Sequence, residues 1–229
     1  MSSISIIIPC LNESGSIVGT LQALRPLRNR GVEIIVVDGG SSDDTIARAQ
    51  PWADRILSSP QGRAAQMNAG AAEAAGTILL FLHADCILPG EADGLLINGL
   101  MQSRKNWGRF DVRITGRHPL LRVIEALMNL RSRLTGIATG DQGVFVTRSL
   151  FEAAGRFPEI ALMEDIALSR RLKRFGAPLN LPHRITVSGR RWEKHGVLRT
   201  VLLMWRLRLA YWLGADPDEL ALRYADHKQ

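Results

Sequence analysis

Apolar runs that break off abruptly into acids and small residues are what most restricts how this chain can fold. Val36-Val37-Asp38-Gly39-Gly40-Ser41-Ser42-Asp43-Asp44-Thr45 is one such stretch, and Leu80-Phe81-Leu82-His83-Ala84-Asp85-Cys86 is another. Each run reads as a strand buried on both faces, and each tail as a turn leading toward a helix. Residues 4–9 form an earlier strand of the same kind, and residues 13–27 follow it with helical spacing. Asp43 and Asp44 suit a helix start; residues 55–57 suit a short strand, residues 63–75 an Ala-rich helix and residues 77–82 a strong strand. Right-handed crossovers turn this alternation into an α/β fold, a Rossmann-like and mostly parallel central sheet flanked by helices. Asp38 and Asp85 then reach the C-terminal edge of the sheet, where open α/β sheets bind ligands. Carboxylates there can accept from a ribose or base, or hold a divalent cation against a diphosphate.

Beyond residue 105 the alternation weakens. A helix after Pro89, a strand at 110–114, a helix at 119–134, a strand at 143–147 and a helix at 164–175 stopped by Gly176 describe a mixed second half. With no linker between them, residues 1–105 and 106–229 read as two halves of a single domain spanning 1–229. The excess of 29 Lys and Arg over 22 Asp and Glu, a net +7, suits phosphate-bearing ligands or anionic lipid. No helix-turn-helix, zinc-finger or RNA-reading signature accompanies it, which argues against a nucleic-acid partner. Cys10 and Cys86 read as reduced thiols. Without a signal-like N-terminus, the expected compartment is the cytoplasm.

The residues point to a family. Ser5-Ile6-Ile7-Ile8-Pro9-Cys10-Leu11-Asn12-Glu13 resembles the opening strand of family 2 glycosyltransferases, and the stretch from Val36 to Thr45 resembles their second-strand motif. Gly62-Arg63-Ala64-Ala65-Gln66-Met67-Asn68-Ala69-Gly70 is similar to their Gly-x-x-x-x-x-Asn-x-Gly helix. Leu82-His83-Ala84-Asp85 stands where the family has a metal-binding Asp-x-Asp, with His83 replacing the first Asp, and Met163-Glu164-Asp165 stands at its Glu-Asp motif. The resemblance implies the GT-A fold, a nucleotide-diphosphate sugar as donor, a divalent cation (Mn²⁺ or Mg²⁺) and transfer with inversion. Ser188-Gly189-Arg190-Arg191-Trp192 resembles the Gln-x-x-Arg-Trp of processive polysaccharide synthases. Ser188 replaces the Gln and spanning helices are lacking, which favours single transfers.

For each position a plainer reading stands beside the functional one. Asp38 accepts from base or ribose, or caps its own turn. Pro9, Asn12 and Glu13 line the nucleotide, although Glu13 also suits a helix start. Arg63, a cation at the unfavourable end of a helix, calls for a compensating anion. Asn68 contacts the donor or allows close packing. Asp85 is the metal ligand, and His83 touches phosphate, metal or only backbone. Asp165 is the general base by resemblance, with its neighbour Glu164 as the other candidate, because helical periodicity sets the two acids on either side of the stripe Leu168, Leu172 and Phe175. Arg190 and Arg191 clamp a diphosphate or form a basic loop; Gly140-Asp141-Gln142 lines the acceptor site or is a turn. Other readings of the chain are a nucleotidyltransferase, which would open with the Gly-rich basic loop absent between Pro9 and Glu13, and a non-catalytic nucleotide-sugar-binding protein. A dehydrogenase would need a Gly-x-Gly-x-x-Gly that the chain lacks. Residues 196–214 carry Arg199, Arg206 and Arg208 among apolar residues, so they either pack on the domain or a dimer partner, or rest on anionic lipid, the latter implying a lipid-linked or isoprenoid acceptor.

Overall fold

The computed structural model of the chain describes residues 3–189, 192 and 196–226. β1 (Ile4–Cys10), β2 (Glu33–Asp38), β3 (Arg55–Ser58) and β4 (Ile78–Phe81) form where the apolar runs predict them. They pair in parallel in the order β3-β2-β1-β4, with Cys10 beside Asp38 and Ile7 beside Phe81. Because strand side chains alternate, Ile4, Ile6 and Ile8 enter one core and Ile7 enters another. α1 (Ile17–Asn29), the short α2 (Thr45–Ala49) and α4 (Ala92–Ser103) pack on the first core. α3 (Arg63–Glu73), α6 (Arg148–Ala153) and α7 (Glu164–Leu172) pack on the second. Burial on both faces is why β1, β2 and β4 read as unbroken apolar runs.

The second half extends the same sheet with changes of direction. β7 (Val144–Thr147) runs antiparallel to β4, and β6 (Trp107–Ile114) antiparallel to β7. β8 (Leu179–Val187) is parallel to β6, and the two-residue β5 (Cys86–Ile87) closes the edge. The order is β3-β2-β1-β4-β7-β6-β8-β5. α5 (Leu120–Thr135) lies on β6. α8 (Val197–Trp212) and α9 (Pro217–Asp226) share a small cluster with Met163 and Ile166 at the start of α7. Among the described residues no helix is long and apolar enough to cross a membrane.

Several elements depart from the sequence reading. The first helix starts at Ile17, not Glu13. Asn12 takes a left-handed φ of 54°, and the N–H groups of Asn12 and Glu13 donate to Ser41 Oγ at 3.0 Å and Thr45 Oγ1 at 2.7 Å, which ties this loop to the one after β2. The helix expected over 164–175 ends at Leu172. Successive i→i−3 bonds from Arg174 and Phe175 tighten the chain and rotate Phe175 to 55% exposure, so only Leu168 and Leu172 of the expected stripe are core. β8 was not among the expected strands, and it carries Pro182, a residue disfavoured inside a ladder. The ladder skips from Phe110↔Leu181 to Asp111↔Arg184, and that irregularity accommodates the proline. β5, α6 and α9 were likewise not anticipated.

α3 lies flat on β1 and β2 because it presents Gly70 to them. A Cβ built there meets Ile7 Cγ2 at 2.5 Å and Val37 Cγ2 at 2.9 Å. Both contacts are branched side chains in the centre of the sheet, with nowhere to move. Gly70→Ala is therefore expected to destabilise the fold by about 1–3 kcal/mol despite alanine's better helix propensity. A urea titration checks this; an unchanged midpoint would show that α3 slides freely on the sheet.

Candidate active site at the carboxyl edge of the sheet

Two interlocked loops form one end of the site. The Asp38 carboxylate, nearly buried at the end of β2, accepts from Gly40 N at 3.1 Å, Ser41 N at 3.1 Å and Ser41 Oγ at 2.6 Å. It therefore shapes its own turn. Asn12 Oδ1 accepts from Ser42 N at 2.9 Å, and Glu13 Oε2 from Ser16 Oγ at 2.6 Å. Pro9 is buried in β1 opposite Val37. Asp43, held by hydrogen bonds from Thr45 and Ser14, has its carboxyl well below the usual range. The result is a rigid acidic rim at the mouth of β1 and β2.

The other end forms where β4 stops. β7 is antiparallel to β4 and pairs Val144 with Phe81, so the turn before β7 returns to the edge that β4 has just reached. This turn, Gly140–Gln142, is a 3₁₀ segment whose Thr139 and Gln142 cap one another. His83 lies across it, with Nδ1 3.3 Å from Asp141 Oδ1. Gly140 has to be glycine, since a Cβ there would overlap the His83 imidazole. The Gly140 N–H donates to Asp165 Oδ2 at 2.8 Å. Met163, with a left-handed φ of 70° rare for a side-chain-bearing residue, turns the chain so that Glu164 and Asp165 open α7 against this edge. A small recess of about 10 Å³, about one water's room, is lined by Met67, Phe81, His83, Gly140, Glu164 and Asp165 among others.

The two adjacent acids occupy unlike surroundings. Glu164 is 3% exposed, and its Oε1 lies 3.8 Å from Arg63 Nη1. Burial pushes its carboxyl above the ordinary value, and the Asp165 charge adds to this, while Arg63 opposes both. The anion that Arg63 called for at the start of α3 is therefore supplied within the chain. Asp165 is less buried and is held by backbone N–H groups of Gly140 and Ile166. Asn68 uses its amide on another element, donating from Nδ2 to Phe157 O at 2.9 Å and accepting from Phe157 N at 3.1 Å. It positions Phe157, whose ring packs edge-on to Phe81 with centroids 4.8 Å apart at the wall of the recess.

Asp85 follows β4, and its Oδ1 accepts from the Cys86 thiol at 3.7 Å. Ligand atoms of His83, Asp85 and Cys86 lie within 4.8 Å of one another. Burial pushes the Cys86 thiol far above its usual range, and hard oxygen-seeking cations favour the imidazole and carboxylate over a thiol. One imidazole and one carboxylate remain, a set that fits Mn²⁺ or Mg²⁺ when diphosphate oxygens complete the shell. Arg131 was not anticipated from sequence. Its Nε and Nη2 are buried without hydrogen-bond partners. Burial, with repulsion from Arg208 and Arg109, lowers its pKa to about 10, and the opposing charge is Asp165. No periodic signal marks it, because on α5 it stands next to Leu120 and Leu134 and off the face that carries Glu125, Asn129 and Ser132. Arg190, Arg191 and His195 lie outside the described residues. Trp192, half-buried, packs against the core.

Residues 5–153 match the model of glycosyl transferase family 2. The chain belongs to that family. Glucosyl-3-phosphoglycerate synthase of Mycobacterium tuberculosis is 33% identical over 97 residues, covering 38% of this chain and 30% of that protein. Among solved structures, Staphylococcus aureus TarS 1-349 in complex with UDP-GlcNAc superimposes with a TM-score of 0.68 at 17% identity, covering 81% of this chain and 58% of the other. The mannosyltransferase PcManGT from Pyrobaculum calidifontis in complex with GDP-Man and Mn²⁺ gives 0.66 at 20% identity, covering 91% and 61%. The chain thus spans about a third of the curated relatives first matched. The structural likeness shows the GT-A fold expected from the sequence.

The environment of Glu164 has a measurable consequence. A carboxyl raised on folding holds its proton more tightly in the native state than in the unfolded chain. Its contribution to stability is fully present below the ordinary value of 4.5 and is lost as pH rises through the folded value. Glu164→Gln removes that ionisation, so the variant should lose less stability than wild type between pH 4.5 and neutrality. Urea midpoints across that range test it, and parallel profiles would mean that Arg63 fully offsets the burial.

Proposed function

We propose that this protein transfers a sugar, with inversion, from a nucleotide-diphosphate donor to an acceptor hydroxyl. The observation that carries this reading is the placement of Asp165 on the same recess as His83, beside the Asp85 pair. The nucleotide lies across Pro9 to Glu13 and the Asp38 turn, so its diphosphate reaches His83 and Asp85. A divalent cation held by Asp85 and His83 would neutralise charge on the departing diphosphate. The acceptor oxygen attacks the anomeric carbon as the bond from that carbon to the phosphate oxygen breaks, and the hydroxyl proton passes to Asp165. Two restraints prepare Asp165 for this. The Gly140 N–H aims one oxygen, and the Ile166 N–H holds the other. Glu164, buried against Arg63, is the structural acid of the pair. UDP-GlcNAc and GDP-Man in the neighbours TarS and PcManGT support a nucleotide-sugar donor, and Mn²⁺ in the latter supports the cation. A lipid-linked acceptor is a further reading.

Incubation with a panel of nucleotide sugars and Mn²⁺ is expected to release nucleoside diphosphate. Release of pyrophosphate instead would identify a nucleotidyltransferase, and tight binding with no release a non-catalytic sugar-nucleotide binder. Asp165→Asn should lower turnover by about 10²–10⁴-fold while leaving nucleoside-diphosphate affinity near wild type. Asp85→Ala should abolish the gain in nucleotide affinity that Mn²⁺ confers, read by calorimetry with and without the metal. Equal affinities in wild type would remove the cation from the scheme.

A further inference from the structure

α5 is packed inside out. Its buried face is Leu121, Glu125, Asn129 and Ser132, while Leu120, Val123, Leu127, Leu130 and Leu134 are 37% to 77% exposed. At 100° per residue each set spans about 80°, and the two sets lie on opposite sides of the helix. Hydrogen bonds hold it this way round. Asn129 accepts from Val112 N at 2.9 Å and donates to Val112 O at 3.1 Å, and Glu125 accepts from Ile114 N. Rotating the leucines inward would break these bonds and bury the loose ends. α8 repeats the arrangement in another form. Val197, Thr200 and Leu207 are buried, and Leu202, Trp205, Leu209 and Trp212 on the opposite side are 56% to 70% exposed. Arg199 and Arg206 border that stripe on one edge and Arg208 on the other. Ile137, just beyond α5, packs against the small cluster that contains Leu207 of α8, which brings the two helices near one another.

Charge decides what covers these stripes. On α5, Arg122 pairs with Glu125, Arg133 pairs with Asp111 and Arg131 has its Nε and Nη2 buried, so the exposed charge bordering the stripes is that of Arg199 and Arg206 on α8, and neither helix carries an exposed acid. Across a two-fold contact a second copy would set arginines against arginines. Anionic lipid headgroups suit them, and Trp and Leu between cations match a helix lying at the headgroup and acyl boundary. We propose that α5 and α8 seat this protein on an anionic bilayer surface, with Leu127, Leu130, Trp205 and Leu209 entering the lipid. This seating stands independently of the catalytic reading.

The full chain is expected to float with phosphatidylglycerol–phosphatidylcholine vesicles at low salt and much less with phosphatidylcholine alone. Leu127→Glu/Leu130→Glu should weaken the association at least about tenfold, since two leucines no longer enter lipid, while the melting temperature and nucleoside-diphosphate binding stay near wild type. A variant that misfolds leaves a second measurement: brominated lipid should quench the wild-type tryptophan emission. Three results would overturn the proposal. They are no flotation at low salt, flotation equal in the folded double variant, or a wild-type dimer by light scattering that the variant converts to monomer.

Discussion

The site exists because β7 runs back against β4. Parallel strands alone would leave the end of β4 facing solvent, with His83 and Asp85 on an open edge. Pairing Val144 with Phe81 makes the chain arrive from that edge, so the Gly140 turn lies against His83 and presents its N–H to Asp165. One change of strand direction thus joins the acids at the end of a parallel sheet to an acid that follows them by eighty residues of chain. The aromatic contact of Phe81 with Phe151 and Phe157 stiffens the junction from beneath, and the Asn68 amide holds Phe157 in place.

Charge placement then separates groups that are chemically alike. Glu164 and Asp165 are consecutive, yet one is buried against Arg63 while the other is aimed by backbone N–H groups. Low dielectric makes such differences large. Arg63 offsets part of the burial cost at Glu164, while Asp165, less buried and aimed by two backbone N–H groups, is left on the side of the recess where a proton can be accepted. Arg131 itself shows the converse, a buried cation without hydrogen bonds on Nε and Nη2. A group of that kind is tolerated where a neighbouring negative charge offsets it.

The helices of the second half carry two kinds of face at once. α8 buries Leu207 among Met163 and Ile166, beneath the turn into Glu164 and Asp165, and shows a second apolar side outward. A segment apolar on both sides, with arginines at the seams, has no single clean stripe. That is why its periodicity reads ambiguously and why its three arginines do not group.

How much was legible in the sequence follows from the range of the forces involved. β1, β2 and β4 were readable because burial on both faces demands unbroken apolar runs, and their ends placed Asp38 and Asp85 at the ligand edge. The order of motifs was enough to indicate the family and the GT-A fold. Local chemistry was less decisive where a partner came from far along the chain. Glu13 lost its helix to Ser41 and Thr45; Asn68 was taken by Phe157; Phe175 was turned outward by tight i→i−3 bonds; Pro182 was absorbed by a ladder irregularity. Which of Glu164 and Asp165 pairs with Arg63, and which face of α5 is buried, were settled by tertiary contacts alone. The sequence by itself determined where strands must be buried and where acids must end them, since both follow from a residue and its near neighbours. Only the folded chain decided the partners of each polar group, because hydrogen bonds and desolvation act over a few ångströms of space between residues far apart in sequence.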